Sequence, residues 1–217
     1  MARAWLPVAS RIPAPEDAGP MAGGAPRVVW FIWPTDPQRV SAKSVAQRLV
    51  QIKQPAHLVW NPVSGQIVQS LPPTRAANGL PGDLNRQGRV CVQIRVLGSV
   101  EEPFTESKLD GLDDILAWLD SWEVPRHWPA GPPLPYPHSL AAQRSRRLWA
   151  RGGHFGNSQV PGTSEGDPGP IDVHRIVGGL APNLDVPRHR AEMEARDMPQ
   201  ECAAERYSIN GPTGTVI

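Results

Sequence analysis

The sequence predicts a mixed α/β domain, a central β-sheet flanked by helices, with flexible ends. Three observations carry this. The run RVVWFIW (27–33) is apolar throughout and rich in β-branched and aromatic residues, as suits a strand buried on both faces. RVCVQIRVLG (89–98) alternates instead: Val90, Val92, Ile94 and Val96 make one face, and Arg89, Cys91, Gln93 and Arg95 the other. Between and after these runs lie two stretches with apolar residues at helical spacing.

Composition narrows the function classes. With 22 Lys and Arg against 21 Asp and Glu in 217 residues, and no basic run, phosphate- or lipid-charge-driven binding is not expected, so neither nucleic acid nor a membrane surface is a predicted partner. No apolar run approaches membrane-spanning length. The first 20 residues lack the continuous apolar core of a signal peptide, so the expected setting is the cytoplasm or release by lysis. Cys91 and Cys202 are far apart and in no metal-like spacing; two free thiols are expected, with a single disulfide the other reading.

In chain order, residues 1–26 hold Pro7, Pro13, Pro15, Pro20 and Pro26 among small residues and predict a flexible arm outside the core. The first strand follows, ended by Pro34 and Pro37. Ser41 is an N-cap candidate for a helix to Lys53, with Val45, Leu49 and Ile52 on one face. HLVW (57–60) and QIVQSL (66–71) flank Pro62 and Gly65 and predict a hairpin. Residues 72–88 form a long polar loop, and a loop of that length inside a domain is more often functional than idle. In the alternating strand, the Val90 face is core; the Arg95 face meets solvent or lines a groove. Thr105–Trp122 predicts the best helix, with Leu109, Leu112, Ile115, Leu116, Leu119 and Trp122 as its stripe and Ser107 with Asp110 as a capping pair. The proline-dense stretch 123–139 is expected to cover surface, and Leu140–Arg151 to form a short helix. After Ile176 the chain turns polar, with a short helix expected near 188–197 in a loosely attached tail, residues 177–217.

The stretch Gly152–Ile171, GGHFGNSQVPGTSEGDPGPI, reads as a glycine- and proline-rich loop able to carry a site. Its Asp167-Pro168-Gly169 turn can aim a carboxylate, although on these residues alone Asp167 reads as a turn cap. Four segments in order, HLVWNPVSGQIVQSLPPTRAAN, CVQIRVLG, GLDDILAWLDSWEVP and GNSQVPGTSEGDPG, resemble zinc-dependent N-acetylmuramoyl-L-alanine amidases of the type-2 class, relatives of peptidoglycan recognition proteins. The resemblance covers residues 27–176, is similar in flavour to actinobacterial or actinophage members, and implies the single-domain amidase-2 fold.

In that family three protein ligands hold a zinc ion with one open position, where bound water becomes the hydroxide that attacks the amide between the muramic lactyl group and L-alanine. What the resemblance implies is then read position by position. Phe31 stands at the first ligand and Asn157 at the second, while Asp167 preserves the third. Arg95 stands at the base position and Glu165 at the assisting one. Phenylalanine offers no donor, asparagine is a poor zinc ligand, and Arg95 would repel a metal cation. The expected protein is therefore a degenerate amidase that holds no zinc. Its groove is expected to be lined by Gln93, Arg95, Asn157, Glu165 and Asp167 and to bind a peptidoglycan fragment or muropeptide. One alternative is an active zinc amidase with shifted ligands, His154, Asp167 and His57. Another is a structural or assembly protein whose termini contact a protein partner. His174 is the remaining histidine near the late loop.

Overall fold

A computed structural model of the chain describes residues 2–142 and 144–178. In order the elements are β1 (Ser10–Arg11), β2 (Arg27–Pro34), α1 (Ala42–Gln51), β3 (Leu58–Trp60), β4 (Ile67–Gln69), β5 (Cys91–Gly98), α2 (Leu112–Ser121), α3 (Arg146–Trp149), β6 (Gly153–Gly156) and α4 (Val173–Val177), with short 3₁₀ turns between them. The strands form one mixed sheet in the order β1-β4-β3-β5-β2-β6. Only β3 and β4 pair antiparallel, as the predicted hairpin; the other neighbours are parallel. The predicted α/β class is the one observed.

β2 is bonded on both sides, to β5 and β6, and Val28 through Ile32 are buried, which is why its sequence is apolar without alternation. The alternation of β5 sorts two faces. Val92, Ile94 and Val96, with Val28, Trp30 and Ile32, pack beneath Leu112, Ile115, Leu116 and Leu119 of α2. The other face is covered in two parts. α1, capped by Ser41 Oγ accepting from Ser44 N–H, lays Ala42, Val45, Ala46 and Leu49 on Val59, Val68 and Leu97. Leu80 and Leu84 of the 72–88 loop, with Trp149 of α3, cover Val29, Phe31, Cys91 and Phe155. Between these covers, at the carboxyl ends of β2 and β5, a groove stays open, the usual place for a site on a parallel sheet.

Several expectations are corrected. The arm is not outside the core: Leu6 is buried in the α2 layer, β1 pairs with β4, and Asp17 forms an ion pair with Arg75. Gln69 holds it by accepting from Leu6 N–H and donating to the Ala4 carbonyl, bonds that the spacing of prolines does not reveal. The Thr105–Trp122 helix is shorter. Gly111 sits at φ 85° as N-cap, a left-handed conformation that an upstream helical turn could not pass through, and Ser107 and Asp110 make no capping box. The 123–139 connection does reach the core, through Val124 and Trp128. Leu140–Arg151 gives a 3₁₀ turn at His138–Ala141 and the four-residue α3 instead of one helix. Within the late loop, Gly153–Gly156 is a strand on β2. Cys91 is a buried free thiol. Cys202, the 188–197 helix and the 177–217 tail beyond Gly178 lie outside the described residues.

Candidate functional site

The groove, of about 590 Å³, is bounded by the end of β2, Asn78 and Gly79 of the long loop, Arg95 of β5, Val100, Tyr136, Leu140, and the late-loop residues Asn157, Glu165 and Asp167. Register builds its floor. Phe31 lies opposite Arg95 across β2 and β5, so the two side chains share a face, and the Arg95 guanidinium stacks over the Phe31 ring at 4.1 Å from its centroid. On the other side of β2, Phe155 pairs with Val29, which brings Asn157, two residues on, alongside Phe31.

Asp167 closes the floor. Its Oδ2 accepts the Ile32 N–H at 2.8 Å, and its Oδ1 accepts from Asn157 Nδ2 at 2.6 Å. Its own carbonyl accepts from Ser158 N–H at 2.7 Å. Burial pushes the carboxyl pKa up, against the downward pull of the Ile32 N–H, the Asn157 amide and the Arg95 charge, with burial dominating. Asp167 is therefore more than a local turn cap: it ties the late loop to the end of the central strand.

Arg95 is half-buried, and its guanidinium makes no ion pair or hydrogen bond among the described residues. Burial lowers its pKa while Asp167 and Glu165 raise it. Gly79 backs it. A Cβ there would meet Gln93 Oε1 at 2.5 Å and Arg95 Nη2 at 3.1 Å, so the loop can approach this closely only as glycine. Glu165 is exposed at the rim. Its N–H donates to Thr163 Oγ1, and its carbonyl accepts from Arg144, whose guanidinium also holds the Ser158 and Leu140 carbonyls.

The structure thus brings Arg95, Asn157, Glu165 and Asp167 to one groove, with Phe31 buried against the Arg95 guanidinium. Gln93 does not line the groove. It is buried, its Oε1 accepts from Gly79 N–H and its Nε2 donates to Asn85, because the long loop folds over that part of β5. The same loop hides Cys91, so of the face expected to meet solvent or a groove only Arg95 reaches the groove. Nor does a shifted set of His154, Asp167 and His57 assemble. His154 is buried on the α2 side of the sheet, stacked on Trp30, with Nδ1 accepting from Trp30 Nε1. His57 is buried with Nδ1 accepting from Gln93 N–H and Nε2 on the Arg75 carbonyl. Burial drives both imidazoles neutral, to pKa values of about 3 for His154 and about 4 for His57. Among the described residues no group of three His, Cys, Asp or Glu side chains could hold a metal ion. His174 lies exposed in α4, away from the groove lining.

Tyr136 and Leu140 line the groove although no motif marks them. Their only signal was an unusual wealth of apolar side chains in a proline-rich connection: Leu134, Tyr136 and Leu140 are exposed there.

No family model and no curated protein matches the sequence. Solved structures similar to this chain include the endolysin N-acetylmuramoyl-L-alanine amidase LysCS of Clostridium intestinale, 12% identical with a TM-score of 0.47, the match covering 82% of this chain and 98% of that one. They include the hydrolase AmiA of Staphylococcus aureus, 11% identical with a TM-score of 0.47, covering 75% of this chain and 73% of that one. They also include the Drosophila peptidoglycan recognition protein SD, 16% identical with a TM-score of 0.36, covering 50% and 66%.

Proposed function

We propose that this chain is an amidase-fold protein that binds a peptidoglycan fragment in the groove without cleaving it, its zinc site having been replaced by protein contacts. The observation that carries the reading is that Asn157 and Asp167, two of the three positions matched to zinc ligands by the motif resemblance, are hydrogen-bonded to each other in the groove lining, with Asp167 also on the N–H of Ile32, the residue after the third, Phe31. The residues there do not fit a zinc ion. Phe31 has no donor atom, Asn157 spends its amide N–H on Asp167, and Arg95 places a positive charge beside them. Asp167 itself accepts from two protein donors in place of a metal.

What remains is suited to recognition. Arg95, stacked and without a protein acceptor, presents guanidinium N–H groups to an acidic group of the ligand. Tyr136, Leu140 and Val100 supply an apolar wall for the rest of it. The resemblance to muramoyl amidases and peptidoglycan recognition proteins makes a muropeptide the ligand to try first.

Calorimetric titration with soluble muropeptides tests this directly. Wild-type protein should bind, Arg95→Ala should bind about tenfold or more weakly through loss of a charged hydrogen bond, and neither should release peptide from purified cell walls. Peptide release by the wild type would restore the hydrolase reading. No binding, or binding indifferent to Arg95→Ala, would favour a structural or assembly role.

A further inference from the structure

Gln93 is buried behind the groove wall, and every polar group it has is used to hold something else. Its main chain binds the residue that leads into β3. The Gln93 N–H donates to His57 Nδ1 at 3.0 Å, and its carbonyl accepts the His57 N–H at 3.1 Å. Its side chain binds the 72–88 loop. Oε1 accepts the Gly79 N–H at 2.9 Å, and Nε2 donates to Asn85 Oδ1 at 2.9 Å. His57 reaches the same loop through Nε2, 2.8 Å from the Arg75 carbonyl. Asn85 completes the set: Oδ1 also accepts the Leu80 N–H, and Nδ2 donates to the Leu80 and Gly82 carbonyls. The direction of each bond follows. Gly79 offers an N–H, so it meets the amide oxygen of Gln93. Asn85 spends its own N–H groups on two carbonyls, so it meets the amide nitrogen. His57 Nδ1 accepts, so its proton lies on Nε2 and goes to Arg75.

The loop held in this way confines Arg95. Gly79 lies so close that a Cβ there would stand 3.1 Å from Arg95 Nη2 and 3.5 Å from Phe31 Cζ. The guanidinium thus has the Phe31 ring on one flank and the Gly79 backbone on another, with no protein acceptor among the described residues to orient it. A long side chain without a polar partner keeps one geometry through the packing around it and the hydrogen bonds behind that packing. We propose that Gln93 is a positioning residue of this groove: it touches no ligand, and by keying Gly79 to β5 it holds Arg95 against Phe31 with its N–H groups presented. Only the affinity readout below rests on the binding reading above; the placement of Arg95 does not.

Two variants test this in the full chain. Gln93→Leu removes both side-chain bonds at similar size. Gln93→Glu keeps both while protonated, its C=O accepting from Gly79 and its O–H donating to Asn85, and loses the second on ionising; a carboxyl buried here titrates above the usual carboxylate range. Three quantities are read: exchange of the Gly79 amide, the NMR signal of the Arg95 Nε–H, which the Phe31 ring current displaces, and affinity for soluble muropeptide. In Gln93→Leu the Gly79 amide should exchange at least about tenfold faster while the Val92 and Ile94 amides stay protected. The Arg95 signal should move toward that of a free arginine, and affinity should fall about tenfold. Gln93→Glu should match the wild type near about pH 6.5 and the leucine variant near about pH 9, a transition the wild type lacks. An Arg95 signal unmoved in Gln93→Leu, or a Gln93→Glu protein without that transition, would overturn the assignment. Should Gln93→Leu fail to fold, the pH profile of Gln93→Glu decides. If the wild type binds no muropeptide, the binding reading falls, and the Gly79 and Arg95 signals still decide this one.

Discussion

His57 and His154 are two residues whose chemistry the fold alters strongly. Burial is the main cause in both. The Arg75 carbonyl partly opposes it at His57; at His154 the charges of His127 and Arg126 add to it, and Asp120 opposes it. The unfolded chain takes up a proton on each near the ordinary 6.5, whereas the folded chain resists until about 4 at His57 and about 3 at His154. Their contribution to stability is therefore complete above pH 6.5 and is lost as the pH falls toward those folded values, at about 1.4 kcal/mol per pH unit for each histidine. The melting temperature should drop steeply between about pH 6.5 and about pH 4.5, and His57→Gln should make that slope shallower. A melting temperature flat over this interval would mean that the imidazoles are not buried neutral. The same burial explains why neither histidine is available to a shifted metal site, something their positions beside the hairpin and the late loop do not disclose.

At the level of elements, what was legible was what side-chain pattern encodes. β2 and β5 were readable because one is apolar throughout and the other alternates, and α1 because Ser41 precedes a clear stripe. β6 was not, since two of its four residues are glycine and it is held by backbone bonds to β2. The N-terminal arm escaped for a similar reason: the Arg3 carbonyl accepts from the Trp118 and Trp122 indoles, and Gln69 binds main-chain atoms of Ala4 and Leu6. Its attachment can be measured. Leu6→Ala should destabilise the fold by about 2–4 kcal/mol, as expected for truncating a buried leucine, with a lower urea midpoint and an unchanged m-value. A shift below about 0.5 kcal/mol would put the arm back outside the core. In the site, Arg95 and Asp167 were legible through motif order and strand parity. The loss of Gln93 from the groove was not, because its partners Gly79 and Asn85 sit in a loop without periodicity.

For the whole molecule, the proposed function requires that β2, β5 and the late loop assemble an amidase-type floor whose ligand positions do not suit zinc. Part of that floor is satisfied from within: Asp167 accepts from Ile32 and Asn157, and the Arg95 guanidinium stacks on the Phe31 ring. Returning imidazoles to two of these positions should reverse the exchange. Phe31→His with Asn157→His would set two imidazoles beside the Asp167 carboxylate, a plausible zinc set with one open position. Binding to the folded state alone would then raise the melting temperature with the logarithm of free zinc above its Kd. Turnover of a muramoyl amide would still be poor in this double variant, since Arg95 is a cation where a base is needed, and should improve on adding Arg95→Glu. The most direct test is the zinc content of wild-type and double-variant protein purified side by side without chelator. No stoichiometric zinc is expected in the wild type and about one equivalent in the folded double variant. One equivalent in the wild type, or a folded double variant that takes up none, would contradict that expectation.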